Sequence, residues 1–314
     1  MRLPGWAVLG VLATACTAGG TVQPRPVPSP PPALAPGPAA TPDTSCGDPT
    51  LSLRPQGPRP APGAMPAGSF MRAIQDRRQL VAGVSRDTLL FGSLDPVSNQ
   101  LVGFDIDVVK QVSTAIFGDE NHVRFQVIGE AQAIPALRDG TVDVVARTMT
   151  ITCDRWKQVA FSTEYYHAAQ RVLVARNSPV QAIDDLRGKK VCATATSTSL
   201  AYLGVARSHP VPVAAANWED CLVLFQLGEV DAISADDAIL VGLAEQDPNA
   251  RIVGDRVSDA PYGLAIAGGH PELVRFVNSV LEQMRGDGRW SAIYGRWLGP
   301  LGPAPPPPAA RYRD

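Results

Sequence analysis

Proline decides which parts of this chain can build a core. Its ring fixes φ and it has no N–H to donate, so it is kept out of helix interiors and central strands. Fifteen of the 30 prolines fall between Thr21 and Gly68, and six more between Pro300 and Pro308. The stretch between these tracts, Ser69 to Gly299, is about 230 residues, enough for a sizeable core. Residues 21–68 are rich in Pro, Ala, Gly and Ser and poor in large apolar side chains. They cannot bury enough surface to fold alone and are expected to run extended. Residues 300–314 are expected to form a disordered tail. A net charge of −2 with 18% charged residues excludes a basic nucleic-acid binder and an acidic disordered chain.

Behind Arg2, Gly5 to Ala15 is an uncharged apolar run, shorter than the ~20 residues that span a bilayer. Its length is that of a signal-peptide core, so residues 1–15 read as a signal peptide. Ala13-Thr14-Ala15-Cys16 resembles a bacterial lipobox, with Ala13 where leucine is usual and Leu12 one place earlier. That resemblance implies lipidation of Cys16. Residues 16–68 then form a tether that holds the body off the outer face of the cell membrane. The alternative is a plain secretory signal cut nearby. Either way the protein works outside the cytoplasmic membrane.

Four further cysteines, Cys46, Cys153, Cys192 and Cys221, suit disulfides in an exported chain, with three possible connectivities. Cys192 lies in an apparent strand and Cys221 near the start of an apparent helix of one lobe, which favours Cys192–Cys221 and leaves Cys46–Cys153 to pin the tether. No CxxC occurs and the four histidines are scattered, so neither a metal nor a cofactor is expected.

The body alternates strand and helix. Leu80–Ser85 reads as a strand. Ile106, Val109, Val112 and Ile116 give a helix opened by Gly103-Phe104-Asp105 and closed by Gly118. Val123–Val127 is a strand, Ile134–Gly140 a short helix with a terminal glycine and Val142–Ala146 a strand, an order that implies a mostly parallel α/β sheet. Arg171–Ala175 leads into a second series: strand Val191–Thr194, helices from Ser197 and over Trp218–Leu227, strand Val230–Ile233 and helix Asp236–Glu245. Strand Tyr262–Ala267 leads back to an amphipathic helix, Glu272–Met284, and a last helix whose Trp290, Tyr294 and Trp297 read as core. Ligands of open α/β sheets bind beyond the strand C-termini, so two facing lobes would make a cleft.

Several segments occur in a telling order: Gly103-Phe104-Asp105-Ile106-Asp107; Ile134-Pro135-Ala136-Leu137 with Gly140-Thr141-Val142-Asp143; Met149-Thr150-Ile151-Thr152-Cys153-Asp154-Arg155; Val159-Ala160-Phe161-Ser162 with Tyr165-Tyr166; Gly228-Glu229-Val230-Asp231-Ala232; and Tyr262-Gly263-Leu264-Ala265. Over nearly its full length the body resembles the polar amino-acid family of extracytoplasmic solute-binding proteins of ABC transporters. The resemblance implies the type 2 periplasmic-binding-protein fold: two α/β lobes, two crossover strands and a ligand in the interlobe cleft. The expected bounds are 69–175 plus 268–299 for lobe 1 and 176–267 for lobe 2.

A buried zwitterion needs a fixed cation and a fixed anion. Arg155 matches the family's carboxylate-binding arginine, whose planar fork grips both oxygens. Thr148 and Thr150 lie two apart on one face of an extended segment. Thr194, Ser197 and Thr198 surround a strand-to-helix turn with exposed N–H groups, or serve as an ordinary N-cap. Asp236 matches the ammonium-binding aspartate, leaving Asp237 to cap the helix. Asp236-Asp237-Ala238-Ile239-Leu240 with Ser197-Thr198-Ser199 looks most like the glutamate/aspartate branch. An acidic side chain needs a second cation, either Arg86 at the cleft rim or Arg147, which alternation points away from Thr148 unless the chain bends. Thr88 and Glu130 stand where some members have phenylalanine, which favours a charge-reading pocket. Trp156, Tyr165 and Tyr166 are open as cleft contacts or packing.

The expected protein is therefore a monomeric, non-enzymatic lipoprotein that captures glutamate or aspartate, with asparagine or glutamine second. It would deliver them to an ABC permease or, alternatively, present its loaded state to a membrane sensor. No nucleic acid is expected among its partners.

Overall fold

A computed structural model of the chain describes residues 31, 32, 34 and 43–313. The expected signal peptide and Cys16 lie outside these residues.

The first lobe opens with α1 (Phe70–Asp76), β1 (Leu80–Val84), β2 (Asp87–Thr88), β3 (Gly92–Leu94), β4 (Leu101–Val102) and α2 (Phe104–Phe117). It continues through β5 (Val123–Val127), α3 (Ala133–Arg138), β6 (Val144–Ala146), α4 (Cys153–Trp156) and β7 (Val159–Phe161). The chain crosses to the second lobe: β8 (Tyr166–Ala175), β9 (Lys190–Thr194), α5 (Thr198–Val205), β10 (Val211–Ala215), α6 (Trp218–Gln226), β11 (Ala232–Asp236), α7 (Asp237–Gln246) and β12 (Ala250–Tyr262). It returns through β13 (Ala265–Ala267), α8 (Pro271–Gly286) and α9 (Arg289–Trp297).

One sheet has the order β5-β1-β6-β13-β7 and the other β10-β9-β11-β8-β12. In each, four strands run in one direction and the strand that arrives by a crossing is antiparallel to its neighbours. A two-lobed α/β fold of the type 2 binding-protein class results, as the resemblance implied. Covered on both faces, β1 is apolar throughout. Leu80, Ala82 and Val84 face one core with α2 and α8, while Val81 and Val145 face the other with Leu137 and Phe161. Gly103 caps α2 at φ +134, and any Cβ there would lie 2.2 Å from the Phe91 carbonyl oxygen.

The lobe bounds differ from those expected. Residues 166–175 belong to the second sheet and 265–267 to the first, so the crossings lie near Thr163–Tyr166 and Pro261–Leu264. Hydrophobicity alone cannot tell which sheet receives a crossing strand. The crossings bond to each other: the Tyr165 N–H donates to the Tyr262 carbonyl at 2.8 Å and the Ser162 N–H to that of Leu264 at 2.9 Å.

Two proline-rich segments also depart from expectation. Residues 43–68 lie against lobe 1, and the tail packs beside them through Arg313. The Ser52 N–H donates to the Arg311 carbonyl and the Arg313 N–H to that of Ser52, both at 3.0 Å. Arg285 Nε donates to the Pro308 carbonyl at 2.8 Å, and the Arg313 guanidinium stacks over Trp156 at 4.1 Å. Proline lacks a donor but keeps its carbonyl, so a tract unable to fold alone can still wrap a finished lobe. Both disulfides form as favoured: Cys46–Cys153 and Cys192–Cys221, with Cα atoms 5.4 and 5.6 Å apart. Among the described residues no helix is long and apolar enough to cross a membrane.

Candidate functional site

Four residues, Cys153–Trp156, make the helix that carries Arg155. So short a helix does not stand by its own propensity. Thr152 caps it by accepting from the Arg155 N–H at 3.2 Å, Cys153 ties it to Cys46, and Trp156 Nε1 donates to the Pro49 carbonyl at 2.7 Å. Thus held, Arg155 turns into the cleft. Its Nη1 donates to the Thr150 carbonyl at 2.7 Å and its Nη2 reaches the Thr196 carbonyl of the other lobe at 3.4 Å. Burial pulls this guanidinium down from its ordinary pKa, while Glu130 and Asp236 oppose that.

Asp236 ends β11 and enters α7 from the second lobe. Its Oδ2 accepts from the Tyr262 hydroxyl at 2.8 Å, and its Oδ1 is buried with no partner. Burial pushes the carboxyl up to about 7, against the hydrogen bond from Tyr262 and the charge of Arg155. An orphaned carboxylate oxygen in a dry setting is a costly group that a cation would satisfy. Asp237 faces elsewhere, accepting from the Ala169 N–H at 3.1 Å and from the Ala238 N–H at 2.9 Å.

Arg147 reaches the cleft because the chain bends. Thr148 adopts φ +51, in the left-handed region where glycine is usual, so strand alternation fails there. Its N–H donates to Asp105 Oδ2 at 2.8 Å, and Asp105 Oδ1 accepts from the Tyr165 hydroxyl at 2.6 Å, which holds the bend. Arg147 is buried and its Nε has no partner. The sequence shows the alternation but not the bend, which depends on Asp105 arriving from α2.

Glu130, in a 3₁₀ turn between β5 and α3, sits between the arginines. Its Oε1 is 3.5 Å from Arg155 Nη2 and its Oε2 is 3.9 Å from Arg147 Nη1. The Thr194 hydroxyl, from the second lobe, donates to Oε2 at 2.5 Å. Beside them lies a cavity of about 430 Å³, lined by Glu130, Arg147, Met149, Arg155 and Gln158 and by Thr196 of the other lobe. Asp236 does not line that cavity; it shares an electrostatic field with Arg155 and Glu130.

Arg155, Arg147 and Thr194 meet at Glu130, the Thr150 carbonyl accepts from Arg155, and Asp236 shares their field from beyond the cavity, while Thr148 donates its N–H to Asp105 and its hydroxyl to the Arg147 carbonyl. The Thr194 hydroxyl is taken by Glu130. The Ser197 hydroxyl is spent as an N-cap, donating to the Thr194 carbonyl at 2.8 Å and accepting from the Leu200 N–H at 3.0 Å. Thr198 follows in the first turn, where helix N–H groups have no intrahelical partner. Arg86 is exposed and stands apart from the cavity, its charge felt by Glu219 of α6. Tyr165, Tyr166 and Tyr262 pack against Phe91 and Phe104 in the buried first core, Phe91 meeting Tyr166 and Tyr262 edge-on. Sequence reasoning missed the roles of Tyr262 and Glu130. In the sequence Tyr262 reads only as a strand residue, and Glu130 only as a residue that is not aromatic.

A family model described as bacterial extracellular solute-binding proteins, family 3, matches residues 80–300. The chain is 36% identical to the ABC transporter glutamine-binding protein of Bacillus subtilis over 229 residues, 73% of this chain and 84% of that one. It is 26% identical to the glutamate/aspartate import solute-binding protein of Salmonella typhimurium, over 78% of this chain and 83% of that one. The expected nearness to the glutamate/aspartate branch is therefore corrected, since the glutamine-binding relative is the more similar of the two. Among solved structures, an ancestral arginine-binding protein bound to glutamine superposes with a TM-score of 0.66 at 34% identity, covering 71% of this chain and 99% of that one.

Proposed function

This chain belongs to family 3 of the bacterial extracellular solute-binding proteins, and from that premise we propose that it captures a free acidic amino acid, glutamate or aspartate, between its lobes and passes it to an ABC permease. Arg155 grips the α-carboxylate, helped by first-turn N–H groups of α5. The unpartnered Oδ1 of Asp236 takes the α-ammonium. Arg147, the buried guanidinium of the pair, takes the side-chain carboxylate.

The observation that supports this reading is the charge set: one buried and one largely buried guanidinium on lobe 1 and a half-satisfied carboxylate on lobe 2. Three fixed charges of these signs suit an acidic amino acid with its two carboxylates and one ammonium. A glutamine reading is also supported. Glu130 already neutralises part of the arginine pair, and the Bacillus subtilis relative is named for glutamine. Calorimetry with glutamate, aspartate, glutamine and arginine separates the two. Glutamate or aspartate binds most tightly on the acidic reading; tight glutamine with silent glutamate ends it.

The delivery partner rests on the named role of the Bacillus subtilis relative, and the site of action on the family description. Anchoring through Cys16 rests on the lipobox-like Ala13-Thr14-Ala15-Cys16. Intact mass of the membrane-extracted protein tests it: a diacylglyceryl adduct on an N-terminal Cys16 is expected. Unmodified protein found only in the medium would refute the anchor.

A further inference from the structure

We infer that Glu130 is a built-in competitor for the ligand: a carboxylate of lobe 1 that occupies the Arg147–Arg155 pair, latches lobe 2 through Thr194, and is displaced when a ligand carboxylate takes its place. The inference deepens the acidic-ligand reading and rests on its assignment of Arg147 and Arg155 to the cleft.

Three observations converge on this side chain. Its two oxygens lie 3.5 Å from Arg155 and 3.9 Å from Arg147, so both cleft cations face one internal anion. Its Oε2 accepts from Thr194, whose strand belongs to the other sheet, so the contact spans the cleft. It lines the cavity that those arginines line. A ligand side-chain carboxylate arriving at Arg147 would meet a like charge within a few ångströms, which an amide would not, and a poorly solvated pair of that kind is strongly disfavoured. Glu130 therefore swings away, and the Thr194 hydrogen bond is lost with it. In the unloaded protein the same contact favours the closed arrangement, because it bridges the lobes with the protein's own carboxylate.

Two consequences separate this role from a structural one. Glu130 penalises a ligand by its negative charge, so it sets the ratio of acidic to amide affinity. It also raises the closed population without ligand. The test is Glu130→Gln in the full chain, titrated with glutamate and with glutamine, with small-angle scattering of the unloaded protein alongside. Glutamate affinity is expected to rise about tenfold or more relative to glutamine, while the variant's amide oxygen at position 130 still accepts from Thr194 and keeps the unloaded protein nearly as closed. Thr194→Val, which removes only the lobe-2 side of the contact, is expected to open the unloaded protein with little change in the affinity ratio. Equal weakening of both ligands by Glu130→Gln would overturn the proposal and make Glu130 a ligand contact. Unchanged affinities in Glu130→Gln with unchanged scattering in Thr194→Val would overturn it by making the Glu130 contacts idle. If the wild-type protein binds neither amino acid, the acidic-ligand reading fails. The scattering of unloaded Thr194→Val then still decides whether the latch exists.

Discussion

Tyr262 donates its hydroxyl hydrogen to Oδ2 of Asp236 at 2.8 Å, while the other oxygen of that carboxylate is buried without a partner. Tyr262 ends the returning crossover strand and Asp236 ends β11. The segment that connects the lobes thus also orients the anion of the cleft, leaving one oxygen for a cation.

This arrangement predicts a pH dependence with two signs. Burial holds the Asp236 carboxyl at about 7, above the ordinary value of 3.8. Between those values the folded protein keeps a proton that the unfolded chain has released. This group therefore makes the unloaded protein less stable as pH rises from about 4 to about 7, with no further change above. The buried Asp105, raised to about 6, acts in the same sense. Ligand binding runs the other way, because an ammonium needs the ionised form. Affinity should fall by up to about tenfold per pH unit below 7, and Asp236→Asn should bind weakly with a flat profile. Melting curves and calorimetry across this range check both trends.

Replacing Cys46 and Cys153 together by alanine should cost stability and affinity at once. The bridge closes a long loop, of a kind worth about 2–4 kcal/mol, and it fastens the four-residue helix that carries Arg155. Replacing Cys192 and Cys221 should lower the melting temperature and leave affinity near wild type, since that bridge joins β9 to α6 behind the cleft. Scanning calorimetry paired with ligand titration separates the two effects.

Deleting residues 303–314 should lower the melting temperature by several degrees, although composition marks the segment as dispensable. The deletion removes the Ser52 pairing, the Arg313–Trp156 stack and the Arg285–Pro308 hydrogen bond. A thermal-shift comparison of full-length and truncated chains decides it; identical melting would contradict the packing described.

Gly242→Ala tests how closely the lobes approach. A Cβ there would lie 2.8 Å from the Leu89 carbonyl oxygen, placing α7 of one lobe against the β2–β3 turn of the other. Overpacking of this kind costs about 1–3 kcal/mol, expected here as weaker binding through hindered closure. Unchanged affinity with lower thermal stability would instead mark a fixed joint.

Much of this architecture is legible in the residues. Hydrophobic alternation and helix signals locate β1, β5, β6 and β9 and the helices α2, α3 and α5 to α9 because local periodicity carries them, but they show only part of β8 and β11 and miss β10 and β12. The resemblance of Met149–Arg155 to the family's segment is what implies a cleft role for Arg155. What stayed hidden was set by long-range partners. Thr148 bends because Asp105 of α2 holds its N–H. Glu130 reaches two arginines only once the turn after β5 folds over them. The membership of β8 in the second sheet depends on its pairing with β11 and β12. The tail is ordered because it finds Ser52 and Trp156, which composition cannot reveal.

The most direct test of the two-charge cleft is calorimetry of the wild-type protein with its tightest-binding amino acid and with the same molecule lacking the α-amino group. If Arg155 and Asp236 hold opposite charges of one ligand, removing the ammonium leaves Asp236 buried and unpaired. Affinity should then drop by about two orders of magnitude or more. Equal affinity for the two molecules would contradict the pairing of Arg155 with Asp236 on a single amino acid.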